Sequence, residues 1–481
     1  MERFKIYPSI GIARVGGSPN EFFLCPESDQ SLGIEIDGTG NEKEIKNYKD
    51  TTGLIKRQGA RFKVFELDSE TGEYLPVDMS QSSVEWSVHL VNKKAAVVRP
   101  NEPPLTYSEV PLKLRTENPN ELTINPGERK ITGENQSGVT FADGKYKTQN
   151  VYLGELRTDK NGDLIVLGGN GVSKSPSNLA IGNYYYSKDW YDDTSDGFVK
   201  AMLTLSDGTK VSASSAWVII APPDYAPNIK GVVTLYDIME NVAIEKGQWQ
   251  PVPIPSFVNH ILPIIDRFKN LTWVSDYADY SINYDNAVLA DTSLTNKEIR
   301  KEIYDKVLGI ETLLEGHTQS GHPFKITKYQ DSILLKWVDG EFNSDLANPD
   351  NVLKAADKLT KDVLDTTVGQ GFCPGIEGGI IVKNPDIYNE AFRFDVSQVT
   401  PGDITGLMAL PWQADFLKCN TNWWPTQRPD AVKLNNGEVE DWARGINNNH
   451  ASLIKNFNKL GYIKPKTIGS IVEQIEDERS L

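Results

Sequence analysis

Between Pro411 and Arg444 the sequence PWQADFLKCNTNWWPTQRPDAVKLNNGEVEDWAR gathers an acid, a thiol, a lysine and four tryptophans, in a 481-residue chain with only three cysteines and ten tryptophans. Asp415 and Cys419 are four residues apart, and a helix begun at Pro411 brings them to one face. A carboxylate beside a buried thiol raises the thiol's pKa, which disfavours a thiolate nucleophile and suits proton abstraction or cross-linking. The same spacing also fits a structural cysteine with a surface aspartate. Trp423-Trp424-Pro425 reads either as a stacking platform for a ligand or as a hydrophobic corner, since tryptophan is well buried on average. Trp442 stands apart, because the stretch EDWARG around it is polar and lacks a core-like pattern.

Histidine is the other conventional base, and there are five: His89, His260, His317, His322 and His450. His322, in the polar loop SGHPF, is the one placed to reach a pocket; it equally reads as a solvated loop residue. Asp192, Asp193 and Asp196 in WYDDTSDG raise the question of a calcium loop, but the run lacks the EF-hand spacing. It reads as a turn with locally bonded aspartates, and no metal is expected.

The elements that must carry these residues divide the chain. Residues 1–225 alternate apolar and polar between turn signals, as in Arg61 to Leu67 and Val84-Trp86-Val88-Leu90, which predicts strands. Hairpins are expected around DKNGD at 159–163 and at Asp207-Gly208. The Pro-rich segment APPDYAPN at 221–228 reads as a break between units. From 226 to 481 the period turns helical, with helices expected in SFVNHILPIIDRFKNL, in TNKEIRKEIYDKVLGIETLLE, and at 350–366, 401–419 and 449–460. Thr295 and Glu298 make a capping box, and Ile299, Ile303 and Val307 share a face. The expectation is an α+β fold: a β-rich region 1–225 and a mainly helical region 226–481 bearing the site, the two forming either separate regions or one intertwined unit.

Composition narrows the function classes. The formal charge of −16 argues against a phosphate-backbone partner, so no nucleic acid is expected. No stretch approaches the roughly 20 apolar residues of a membrane helix, and the N-terminus lacks a secretory signal pattern, which points to a cytoplasmic protein or a non-Sec export route. Cys25, Cys373 and Cys419 are too scattered for a disulfide framework or zinc site.

The segments YPSIGIARVGGS, WYDDTSDGFV, GFCPGIEGG, PWQADFLKC, NWWPTQRPD and WARG, in that order along the chain, resemble the LodA/GoxA-like family of cysteine tryptophylquinone-dependent amino-acid oxidases. The resemblance implies a cofactor made from the protein itself: a thioether from Cys419 to a doubly oxygenated tryptophan, Trp442, with Trp424 and then Trp423 as fallbacks. It implies Asp415 as the acid that serves cofactor formation or acts as base, and Tyr191 as an aromatic gate. Cys373 and Lys433 are nearby candidates read from the sequence. Phe457 stands where the family pattern implies tryptophan. The implied activity is oxidative deamination of an amino-acid or other primary amine through a Schiff base on the quinone, with O2 reoxidation giving H2O2 and ammonia. A flavoprotein maturation partner (LodB-like) and a homo-oligomer belong to the same expectation. Two alternatives remain beside it: a catalytically silent ligand-binding or structural protein, and a thiol hydrolase using Cys419, for which no histidine partner motif exists.

Overall fold

The computed structural model describes residues 2–28, 31–36, 40–79, 82–100, 109–276, 279–315, 326–347, 353–369, 374–418, 426–446 and 449–481. The alternating segments of the first half pair into one large sheet. Its spine comprises β1 (Ile10–Arg14), β2 (Arg57–Leu67), β3 (Ser83–Val88), β4 (Arg129–Thr132), β5 (Val139–Thr140), β6 (Glu155–Thr158), β7 (Leu164–Leu167), β8 (Ser195–Thr204) and β9 (Ala216–Ala221). Their spatial order is β5-β6-β7-β2-β1-β9-β8-β3-β4. Only β1 and β9 pair in parallel along this path, with Trp217 opposite Ile10. Both expected hairpins form. DKNGD closes β6 on β7 with Thr158 opposite Leu164, and Asp207-Gly208 turns β8 onto Lys210–Ser212. Gly208 takes φ +83° there, a left-handed conformation that costs glycine little.

The longer helices lie in the second half: α1 (Leu235–Glu245), α2 (Leu262–Asn270), α3 (Lys297–Glu315), α4 (Lys328–Asp339), α5 (Ala355–Leu364), α6 (Trp412–Lys418) and α7 (His450–Asn456). The molecule is thus α+β, with strands concentrated in the N-terminal half. Two C-terminal hairpins supplement the helices, β10 (Ala431–Lys433) with β11 (Val439–Asp441) and β12 (Tyr462–Ile468) with β13 (Ile471–Asp477). Ile303 and Val307 bury the expected face of α3 and Ile299 packs partly against the same core. Thr295 does not cap that helix, because a 3-10 turn over Leu294–Asn296 leads into it. Among the described residues no helix is long and apolar enough to cross a membrane.

APPDYAPN is no exposed linker. Tyr225 and Ala226 are fully buried, and Asp224 is nearly so. One core cluster joins Ile10, Trp217 and Ile219 of the sheet to Leu235, Ile238 and Ile380 beyond the break. Arg14 of β1 pairs with Glu377 and donates to the carbonyls of Pro222 and Thr366. We infer that the two regions, 1–225 and 226–481, form one intertwined unit.

WYDDTSDG is likewise more than a locally bonded turn. Thr194 Oγ1 donates to Asp192 at 2.8 Å, but the other partners of Asp192 and those of Asp196 come from distant parts of the chain. Tyr191–Asp192 is a short strand and Asp196 lies in β8; all three aspartates are almost wholly buried. Asp196 accepts from Trp217 Nε1 at 3.0 Å and from the backbone amides of Gly402, Ile404 and Thr405 at 3.2, 3.3 and 2.8 Å. Those amides are spent on a carboxylate, so residues 401–407 form turns and the helix expected over 401–419 is confined to α6. Asp192 accepts from Lys94 Nζ at 2.7 Å and from the Trp412 amide at 3.1 Å. Lys94 and Asp192 are both wholly buried. Removing one member of such a pair strands the other charge. Asp192→Asn is therefore expected to cost about 3–5 kcal/mol in denaturant unfolding, whereas a loss below about 1 kcal/mol would assign the pair no structural weight.

Candidate active site

Asp415 is carried by α6, whose first amide is the one held by Asp192. Trp412, Gln413, Asp415 and Phe416 are all buried, although the helix has only seven residues. Neighbouring elements hold it in place. Ser173 Oγ donates to Gln413 Oε1 at 2.7 Å. The His450 imidazole bonds the Gln413 backbone, and burial pushes its pKa down. The Trp412 ring meets Phe416 edge-on at 5.1 Å and Phe457 at 5.9 Å. Phe457, at the position where tryptophan was expected, thus acts as packing, and its carbonyl accepts from Tyr225 Oη at 2.7 Å.

Trp442 follows β11 and is completely buried despite its polar sequence context. Its backbone amide donates to the Asp430 carbonyl at 2.8 Å and its Nε1 to the Gly461 carbonyl at 3.0 Å. A Cβ on Gly461 would collide with the Glu476 side chain, so glycine permits Glu476 to pack closely there. Tyr225 stands edge-on to the Trp442 ring at 4.9 Å and Phe416 at 6.3 Å. The Arg428 guanidinium carbon lies 5.1 Å from the Trp442 ring centroid. Arg428 is itself fixed by donating from Nε to the Phe416 carbonyl at 2.7 Å and from Nη1 to the Pro429 carbonyl at 2.6 Å. The ring therefore sits in an aromatic enclosure with one buried cation against it.

Of the residues singled out in the sequence, Asp415 and Trp442 are brought to one region, linked by Phe416. Tyr191 packs in the sheet's core, 5.2 Å from the Tyr146 ring, in a different cluster from Trp442. Lys433 on β10 pairs with Glu473 at 2.6 Å and lies 5.6 Å from the Trp273 ring. His322, Cys373, Cys419, Trp423 and Trp424 lie outside the described residues. Cys25, which is described, is a buried free thiol pushed up to about 12 by desolvation. Among the described residues no group of three or more His, Cys, Asp or Glu is arranged for a metal ion.

Three residues near Trp442 carried no individual signal. Arg428 was visible only as part of NWWPTQRPD, and Tyr225 lay in the segment read as a break. Asp430 sits 3.6 Å from Arg428. Burial pushes its carboxyl up to about 7, helped by Asp441 and Asp276 and opposed by Arg428.

Comparison with known proteins bears on this arrangement. Residues 7–220 match the family model for the L-lysine epsilon oxidase N-terminal region, and residues 317–439 match that for the L-lysine epsilon oxidase C-terminal domain. L-lysine 6-oxidase of Marinomonas mediterranea is 30% identical over 542 residues, spanning 90% of this chain and 73% of that protein. The chain belongs to the LodA-like family. Its fold agrees with solved members from the same organism. The L-Lys epsilon-oxidase captured as its Schiff base intermediate with L-Lys superimposes with a TM-score of 0.83 at 24% identity, covering 99% of this chain and 95% of that one. A further crystal structure of L-Lys epsilon-oxidase gives 0.81 at 23% identity, covering 99% and 94%.

In this LodA-like chain the raised Asp430 pKa has a thermodynamic sign. The folded state favours the protonated carboxyl, so that stabilisation is complete below the unfolded pKa of about 4 and is lost as pH rises through about 7. Asp430→Asn removes this dependence. Thermal midpoints taken near pH 5 and near pH 8 should fall less for the variant than for the parent; an identical fall would place the titration elsewhere.

Proposed function

We propose that this chain is an amino-acid oxidase that deaminates a primary amine of its substrate, using a cysteine tryptophylquinone formed from Cys419 and Trp442. The observation that carries the reading is the contact between Phe416 and the buried Trp442 ring. Phe416 lies one residue after Asp415, so the helix that carries the acid packs beside the tryptophan to be modified, and in the sequence Cys419 follows Phe416 by three residues. Such a quinone supplies an electrophilic carbonyl for the amine and takes up two electrons, which O2 removes to give H2O2 while the nitrogen leaves as ammonia.

The surrounding residues suit that group. Tyr225, itself backed by Tyr462, and Phe416 exclude water from the ring and lower the local dielectric. Arg428 presents a fixed positive charge to a ring that gains electron density, at no reorganisation cost. Asp415, buried on the same helix, takes the proton from the carbon bearing the nitrogen or serves the oxygenation that forms the cofactor. Asp430, with a pKa near neutrality, is a second proton acceptor in the same region. Cys373, Lys433 and His322 remain proposals read from the sequence, and Tyr191 and a LodB-like flavoprotein partner for maturation remain proposals of the family resemblance. The L-lysine oxidase relatives direct the substrate search to amino acids with a primary amine.

The test is peroxide release across a panel of amino acids, using protein produced with its flavoprotein partner. Turnover of at least one amino acid is expected, with Trp442→Phe and Cys419→Ala inactive and Asp415→Asn slowed about a hundredfold or more. Full activity in Trp442→Phe would reject the assignment, and a fully matured protein silent towards every amine would favour a non-catalytic family member.

A further inference from the structure

A cavity of about 780 Å³ opens between α1, α2, α4 and α5, and none of the residues packed on Trp442 lines it. Its charges are not all paired with one another. Arg267 is held by Asp237 at 2.8 Å and Asp365 at 3.0 Å, and Lys361 also pairs with Asp365. Lys358 is drawn to Asp362 at 2.7 Å, a carboxylate that does not line the cavity. Lys354 donates to the Gly72 carbonyl at 3.2 Å and stands 4.0 Å from Glu73, again away from the cavity. Two lining cations are thus spent on outside partners.

Lys230 acts on Asp365 as well, and Asp266 stands 3.6 Å from Lys269, outside the cavity. Among the described residues, the lining carboxyls without an ion pair are Glu240 and Asp357. Glu240 has only a long bond from Tyr236 Oη at 3.4 Å. Burial pushes Glu240 up to about 8, with Asp237 adding to the rise and Lys361 opposing it, and burial also raises Asp357 against the pull of Lys5 and Lys354. Apolar surface lies beside them. Trp249, set edge-on to Phe392 at 5.3 Å, lines the cavity together with Val252 and Ile333.

We propose that this cavity is a non-catalytic binding site for a protonated organic amine, whose ammonium pairs with Glu240 and whose hydrocarbon body rests on Trp249. A cation complements the two carboxyls that no ion pair engages, an aromatic face attracts ammonium groups, and the volume is that of a small-molecule site. An anion is disfavoured, because the lysines and arginine that would receive it are already engaged.

The experiment is isothermal titration of the full chain with triethylamine, which is protonated at neutral pH and cannot condense with a carbonyl, so any failure at Trp442 leaves the result untouched. Saturable binding at one site is expected, at least about tenfold weaker in Glu240→Gln and about threefold weaker in Trp249→Leu. The neutral alcohol triethylcarbinol should bind at least about tenfold more weakly than the amine. Absence of saturable binding at millimolar amine, equal affinity in Glu240→Gln, or equal affinity for the alcohol would each overturn the proposal. Circular dichroism of both variants separates lost binding from lost folding; should Glu240→Gln unfold, the amine-to-alcohol ratio on the parent chain decides alone.

Discussion

The buried carboxylate of Asp192 is the joint on which the site depends. One oxygen accepts from the Lys94 ammonium and from the first amide of α6, and the other accepts from Asn92 and Thr194. A helix of seven residues has little stability of its own, since nucleation is costly and few internal hydrogen bonds repay it. Its position must be imposed from outside. The two-stranded ladder of Ser173–Lys174 and Tyr191–Asp192 does so, through Asp192 at the start of α6 and through Ser173 on Gln413. Asp196 performs the same service just upstream, using its acceptors to hold the turns of 402–405. The β-rich half is therefore the frame that fixes the residues of the helical half.

Around Trp442 the same logic continues at the scale of rings and charges. An indole with a buried N–H needs an acceptor, and the Gly461 carbonyl provides it where no side chain intervenes. Aromatic neighbours approach edge-on, the arrangement preferred by their quadrupoles, and the Arg428 guanidinium stands over the ring. A guanidinium in this position is costly to bury, and its bonds to the carbonyls of Phe416 and Pro429 offset part of that cost. The same bonds tie Arg428 to the helix of Asp415, so acid, cation and indole are positioned as a unit.

Features set by local spacing were legible in the sequence. The hairpins at DKNGD and Asp207-Gly208 follow from alternation and turn chemistry within a few residues, and the buried stripe of α3 follows from its period. Features set by distant partners were not. Asp192 reads as a turn residue until Lys94, 98 positions away, and Trp412, 220 away, are folded onto it. Tyr225 sits in a Pro-rich stretch that looks like a linker, and only the approach of Trp442 and Tyr462 makes it core. Thr295 had the spacing of a cap but lies inside a 3-10 turn. For the site, Asp415 and Trp442 stood out by residue type and motif, while Arg428 and Asp430 gained meaning only from geometry.

The central claim is chemical: Trp442 and Cys419 are one covalent group. Tandem mass spectrometry of peptides from protein matured with its flavoprotein partner tests it most directly. The account predicts a single species in which the peptides bearing Cys419 and Trp442 are joined by a thioether, with two oxygens added to the tryptophan. Separate, unmodified peptides, or a cross-link from Cys419 to Trp424, would contradict it.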